Sequence, residues 1–162
     1  MNIFFLHKTP RLCAKFLSDK HIPKMVLETT QMLCTAYQKH YAKRVNELYK
    51  PAYPNHPMTI WVGSRLNNYE WTMDLLKELL KEYTKRFKKV HKCTEIYNIL
   101  KIRGLNMSII DYLQSVKFSE PPQCMPDQFQ QKNYVKAYRQ YYKIGKAHLH
   151  NYNRAKMPRF LK

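Results

Sequence analysis

His21 and Glu28 stand seven residues apart in LSDKHIPKMVLETTQML, residues 17–33, close to two full turns of a helix. With Lys24 and Gln31 they form one polar stripe, opposite an apolar face of Ile22, Met25, Val26, Thr29, Leu33 and Ala36. An imidazole and a carboxylate on one side of one helix can hold and pass protons, or stabilise positive charge developing beside them. The competing reading is an ordinary solvated stripe in which Glu28 faces Lys24 one turn earlier.

A second cluster lies near the end of the chain. In YVKAYRQYYKIGK, residues 134–146, Tyr134, Tyr138, Tyr141 and Tyr142 alternate with Lys136, Arg139, Lys143 and Lys146. Such cations neutralise phosphates and such rings stack on exposed bases. Alternatively, Tyr138, Tyr141 and Tyr142 pack inward and the basic face is simply wet. The charge of the whole chain favours binding: 29 Lys and Arg against 11 Asp and Glu give a formal net charge of +18. Self-repulsion of that size points to a polyanionic partner, and nucleic acid fits better than a membrane, because no apolar run of 18 residues occurs. The four cysteines, Cys13, Cys34, Cys93 and Cys124, form no CxxC pair and no dense disulfide set, which points to a reduced, intracellular compartment. His91 with Cys93, and His148 with His150, are only fragments of a ligand set, so no metal site is expected.

The elements that must carry these groups are helical. Only 3 glycines occur in 162 residues, no alternating run suggests a sheet, and one all-α domain over residues 1–162 is expected: a compact helical bundle with an extended N-terminal segment, MNIFFL. Thr9-Pro10 opens a helix ending near Ser18, and the stripe helix follows, with Pro23 in its first turn and an end near Leu48. KPAYPNHP, residues 50–57, is a loop from which His56 either reaches the site or caps the next helix. Residues 64–90 predict a long helix, capped by Ser64 or Asn67, with Leu66, Tyr69, Met73, Leu76, Leu80, Tyr83, Phe87 and Val90 on one face. Trp61 and Trp71 read as core anchors. Further helices are expected over 94–103, ended by Gly104, over 108–116, and over 131–150, with the basic tail RAKMPRFLK on the surface.

Three short motifs in order resemble the phage-type pyrimidine-dimer DNA glycosylases (endonuclease V type), a family found in phages and large viruses. They are Asp19-x-His21 with Glu28 seven residues on, Tyr53-x-Asn55-His56-Pro57, and the tyrosine-rich 138–146 with its Gly145-Lys146. The resemblance implies a small all-helical DNA repair enzyme that removes a damaged base and also nicks the strand as an AP lyase, with no metal or cofactor. It implies that an N-terminal amine attacks sugar C1′, supplied by Met1 or, after processing, by Asn2. Asn2 is large for efficient removal of Met1. An α-amine, with a pKa of roughly 7.7–8.0, is partly neutral at pH 7, unlike an ordinary lysine. Glu28 matches the family's essential carboxylate, and His21 would bind the opened nucleotide or assist proton transfer. The groups expected to meet DNA are Lys20, Lys24, Gln31, His56, Arg139, Tyr141, Tyr142, Lys143 and Lys146. Leu27 and Gln31 stand where the phage enzyme carries phosphate-gripping arginines, with Lys20 and Lys24 as substitutes.

Damaged or modified duplex DNA is therefore the expected partner, with no membrane and a monomeric chain inside a bacterial host, a nucleus or a viral factory. Two other readings stay open. One is a non-catalytic basic nucleic-acid-binding protein; the other is a glycosidase acting on a modified base or nucleotide.

Overall fold

In a computed structural model of the chain, residues 1–104 and 117–162 are described. Among them are six α-helices and no strand: α1 (Pro10–Phe16), α2 (His21–His40), α3 (Pro57–Ser64), α4 (Leu66–Phe87), α5 (Cys93–Arg103) and α6 (Tyr134–Gly145). Single 3-10 turns cover Asp127–Phe129, Ala147–Leu149 and Arg159–Leu161. The short helix expected over 108–116 lies outside the described residues. No helix among the described residues is long and apolar enough to cross a membrane.

Helix α2 is the central element, packed against α3, α4 and α5, while α1 lies along α4. Its apolar face is buried as the periodicity requires: Ile22, Met25, Val26, Thr29, Leu33 and Ala36 are all in the interior. Gly63 of α3 approaches so closely that a Cβ there would stand 3.2 Å from the Ala36 Cβ.

The extended N-terminal segment joins this layer to α6. Ile3, Phe4, Phe5 and Leu6 are buried. Phe5 meets Trp61 and Trp71 on one side and Tyr134 and Tyr138 of α6 on the other. Burying each such ring is worth roughly 1.5–3 kcal/mol, so the segment is held as core rather than as a loose terminus. Trp61 is the buried core anchor expected of it, whereas Trp71 is half-buried and packs against the core from its edge.

Several expected boundaries move. Helix α2 stops at His40, not near Leu48, because Ala42 takes a left-handed conformation (φ 47°). The Gln38 side chain then organises the loop, donating to Cys34 O and Tyr49 O and accepting from Arg44 and Val45 N–H. The long helix is split: α3 is separate, and Arg65, in extended conformation, stands at the N-cap of α4 in place of Ser64 or Asn67. The Asn68 side chain ties the break by donating to Trp61 O. Helix α4 ends at left-handed Lys88, and Val90 is exposed. Helix α5 ends at Gly104 (φ 59°) as expected. Helix α6 is shorter than 131–150, opening where Asn133 Oδ1 accepts from Lys136 N–H. The basic tail is not simply surface: Pro158 is buried, Phe160 packs edge-on against Phe16, and Arg139 lies 4.9 Å over the Phe160 ring.

Candidate functional site

The N-terminal segment, the stripe of α2 and the last turn of α6 converge on a cleft of about 220 Å³. Met1, Asn2 and Phe4 form one wall, His21, Lys24, Met25 and Glu28 a second, and Cys124, Tyr141, Lys146 and Leu149 the third. Larger, more apolar hollows exist, notably one of about 410 Å³ around Phe16, Met157 and Phe160, but it holds no carboxylate. Chemistry rather than size singles out the smaller cleft. Among the described residues no group of three or more His, Cys, Asp and Glu side chains converges as a metal site.

Glu28 answers the question raised by the stripe. Its side chain is only 16% exposed, and Oε2 accepts the backbone N–H of Asn2 at 3.1 Å. The Met1 nitrogen is 4.0 Å from the same oxygen, and Lys24 Nζ is 3.8 Å from Oε1. The solvated-stripe reading therefore fails for Glu28. Two further contacts and burial fix the terminus. Asn2 Nδ2 donates to Cys124 O, the Met1 sulfur accepts from the Thr59 hydroxyl, and the Met1 side chain is only 2% exposed.

His21 is 3% exposed, with Nδ1 2.7 Å from the Tyr142 hydroxyl. Burial first, then the charges of Lys146 and Lys24, push its pKa down to about 4, so the ring is neutral at pH 7. The start of α2 is fixed by a buried ion pair that sequence reasoning missed. Arg86 of α4, fully buried, bonds Asp19 at 3.3 Å, Glu82 at 2.8 Å and Leu17 O at 2.7 Å. Asp19 also accepts from Arg154 N–H, so the first residue of the Asp-x-His motif is a brace, not a reactive group. A buried arginine needs that many acceptors, and the only signal in sequence was a cation among the polar positions of α4.

The other candidate residues divide. Lys24, Tyr141 and Lys146 line the cleft, and Lys146 Nζ sits 5.2 Å above the Tyr141 ring. The Gly-Lys motif has a packing reason: the Tyr141 ring lies against Gly145, where a Cβ would be 2.6 Å from Cε2. His56 caps α3 through Nδ1, which accepts from Met58 N–H, and it is near enough to the terminus to feel both the Met1 ammonium and Glu28. Lys20 is exposed in a separate groove beside Asp19 and Arg154. Gln31 is half-buried outside the cleft. Arg139 donates through Nε to Leu6 O and Lys143 through Nζ to Lys162 O, both away from the cleft. Tyr142 corrects the expectation of a DNA contact: it is fully buried, and its hydroxyl is taken up by Ser18 N–H and His21. Tyr138, also buried, supports the wall from behind by donating to Pro122 O.

A family model described as pyrimidine dimer DNA glycosylase matches residues 1–95, more than half of the 162, and spans Met1, His21, Glu28 and His56 while stopping short of α6. No curated protein and no solved structure matched the chain. The matched span holds two of the cleft's three walls, and on that match the chain belongs to the pyrimidine dimer DNA glycosylase family.

Proposed function

We propose that the protein removes pyrimidine dimers from DNA as a glycosylase and then cuts the strand as an AP lyase, with the α-amine of Met1 as nucleophile. The observation that carries this is the Met1 nitrogen 4.0 Å from Glu28 Oε2 in a cleft that also holds His21. Retention of Met1 is supported by its buried side chain and its contact with Thr59.

In this reaction the neutral amine attacks C1′ of the damaged nucleotide, and the C1′–N bond breaks with its electron pair leaving on the base. Glu28 stabilises the sugar cation as that bond lengthens and takes a proton from the attacking nitrogen. The C1′–O4′ bond then opens, O4′ gains a proton, and an iminium joins C1′ to the protein. Loss of a C2′ proton expels the 3′ phosphate, and water releases the chain. Lys24 and Lys146 supply cations for flanking phosphates, and the Tyr141 ring supplies a stacking surface. A stacked duplex shields C1′, so the target nucleotide has to be extruded or exposed. Binding that rests on phosphates weakens steeply with salt.

The test is strand cleavage of ultraviolet-irradiated duplex DNA. The expected result is nicking by the native chain and nicking slower by roughly 10²-fold or more by Glu28→Gln at equal DNA occupancy. Salt-sensitive binding without nicking would favour a non-catalytic DNA-binding protein instead. Nicking only of DNA carrying a different modified base would move the substrate but keep the chemistry.

A further inference from the structure

The hydrogen bonds behind the cleft fix more than the position of His21. The Tyr142 hydroxyl accepts the backbone N–H of Ser18 at 2.9 Å, and a backbone N–H can only donate. The phenol has one proton left to give, and it makes its short bond, 2.7 Å, to His21 Nδ1. The Ser18 hydroxyl stands 3.3 Å from the same nitrogen, a longer contact in which it can donate or accept. The neighbouring phenol, Tyr152, gives its own proton to Phe16 O at 2.7 Å, so toward Tyr142 it can only accept, whereas the short 2.7 Å bond of the Tyr142 hydroxyl is to His21. The Tyr142 ring has little freedom: Phe4 meets it edge-on and His150 stacks on it, each with centroids 5.2 Å away. His150 Nε2 also bonds the Tyr142 carbonyl at 2.9 Å, which requires the proton on that nitrogen.

We propose that Tyr142 is a positioning residue that sets the tautomer of His21, leaving Nδ1 bare and placing the ring's proton on Nε2, where it is presented to the cleft as a neutral hydrogen-bond donor. Both hydrogen bonds of the ring to the described residues are made by Nδ1, none by Nε2, and His21 lines the cleft. Because burial and the cations Lys146 and Lys24 keep the ring neutral, His21 does not act as an imidazolium acid at pH 7. Of the two tasks open to it, binding the opened nucleotide or moving a proton, it performs the first. It donates to an oxygen of the opened sugar while Glu28 handles the protons. This last step rests on the reaction proposed above; the tautomer does not.

The direct test is a long-range nitrogen–proton correlation spectrum of the imidazoles in the native protein without DNA. The expected pattern for His21 is a single Nε2–H tautomer. A proton on Nδ1 would overturn the proposal, whatever any variant does. In Tyr142→Phe the pattern should collapse to a tautomer mixture, and an unchanged single tautomer would also overturn the proposal. In single-turnover cleavage the same variant should lose about tenfold or more in rate with DNA affinity within about twofold. Equal losses of rate and affinity would mark a merely structural residue. If Tyr142→Phe fails to fold, Ser18→Ala removes the other hydroxyl beside Nδ1 while keeping the phenol, and the Nε2–H pattern should survive; its loss would overturn the proposal. A native protein with that tautomer and no lyase activity would fault the proposed reaction and leave the role of Tyr142 standing.

Discussion

Asn2 gives its backbone N–H to Glu28 Oε2 at 3.1 Å, and this bond, spanning 26 residues, holds the carboxylate beside the Met1 nitrogen. The only polar side chain within the apolar start of the chain is thereby explained. Asn2 bonds Cys124 O through Nδ2 and Ile3 N–H through Oδ1, clamping the terminus between α2 and the segment before α6.

Glu28→Gln tests the carboxylate without dismantling that clamp, because the amide oxygen still accepts from Asn2. Stability should change by no more than about 1 kcal/mol in urea titration. The single-turnover rate should fall by roughly 10²–10⁴-fold. A rate within threefold of native would remove Glu28 from the chemistry.

The buried pair of Arg86 and Asp19 anchors the entry to α2. Asp19→Ala leaves the guanidinium with Glu82 and carbonyls alone, and should cost about 3 kcal/mol of stability by denaturant unfolding. Because Asp19 braces rather than reacts, cleavage by the folded fraction should stay near native. A large rate loss in fully folded protein would contradict that assignment.

Acid should destabilise the fold partly through His21. Its neutral form is favoured in the folded state, where the pKa is about 4 against roughly 6.5 unfolded. The contribution is therefore complete above about pH 6.5 and is lost as pH falls toward 4, by something of the order of 2 kcal/mol. His7, His56 and His91 are shifted the same way, chiefly by burial. Unfolding curves at pH 7 and 4.5 should differ less for His21→Gln than for the native chain, and an equal difference would show that His21 carries no part of the effect.

Gly145→Ala puts a methyl where the Tyr141 ring now lies. The ring must leave its stacking on Phe4 and its place beneath Lys146, at a cost of about 1–3 kcal/mol. Affinity for irradiated DNA should drop severalfold, measured by fluorescence anisotropy; unchanged affinity would take Tyr141 out of the binding surface.

The part of the site carried by one helix was legible in the sequence, because a 3.6-residue period puts His21, Lys24 and Glu28 on one side whatever surrounds them. The burial of MNIFFL was legible from composition alone. What the sequence hid is long-range: Tyr142 meets His21 across 121 residues, and Arg86 meets Asp19 across 67, with no local pattern to announce either. The early end of α2 was hidden for another reason. Alanine at a left-handed position is no stop signal, and the Gln38 amide replaces the hydrogen bonds a longer helix would have made. The tail misled because one Pro and one Phe anchor an otherwise basic stretch.

The nucleophile itself is most directly identified by trapping the protein on ultraviolet-irradiated or abasic DNA with borohydride and mapping the adduct by peptide mass spectrometry. An amine nucleophile at Met1 predicts the sugar remnant on the N-terminal peptide, with Met1 retained, and no adduct after N-terminal acetylation. An adduct on Lys24, Lys146 or another lysine, or survival of the adduct in acetylated protein, would contradict it.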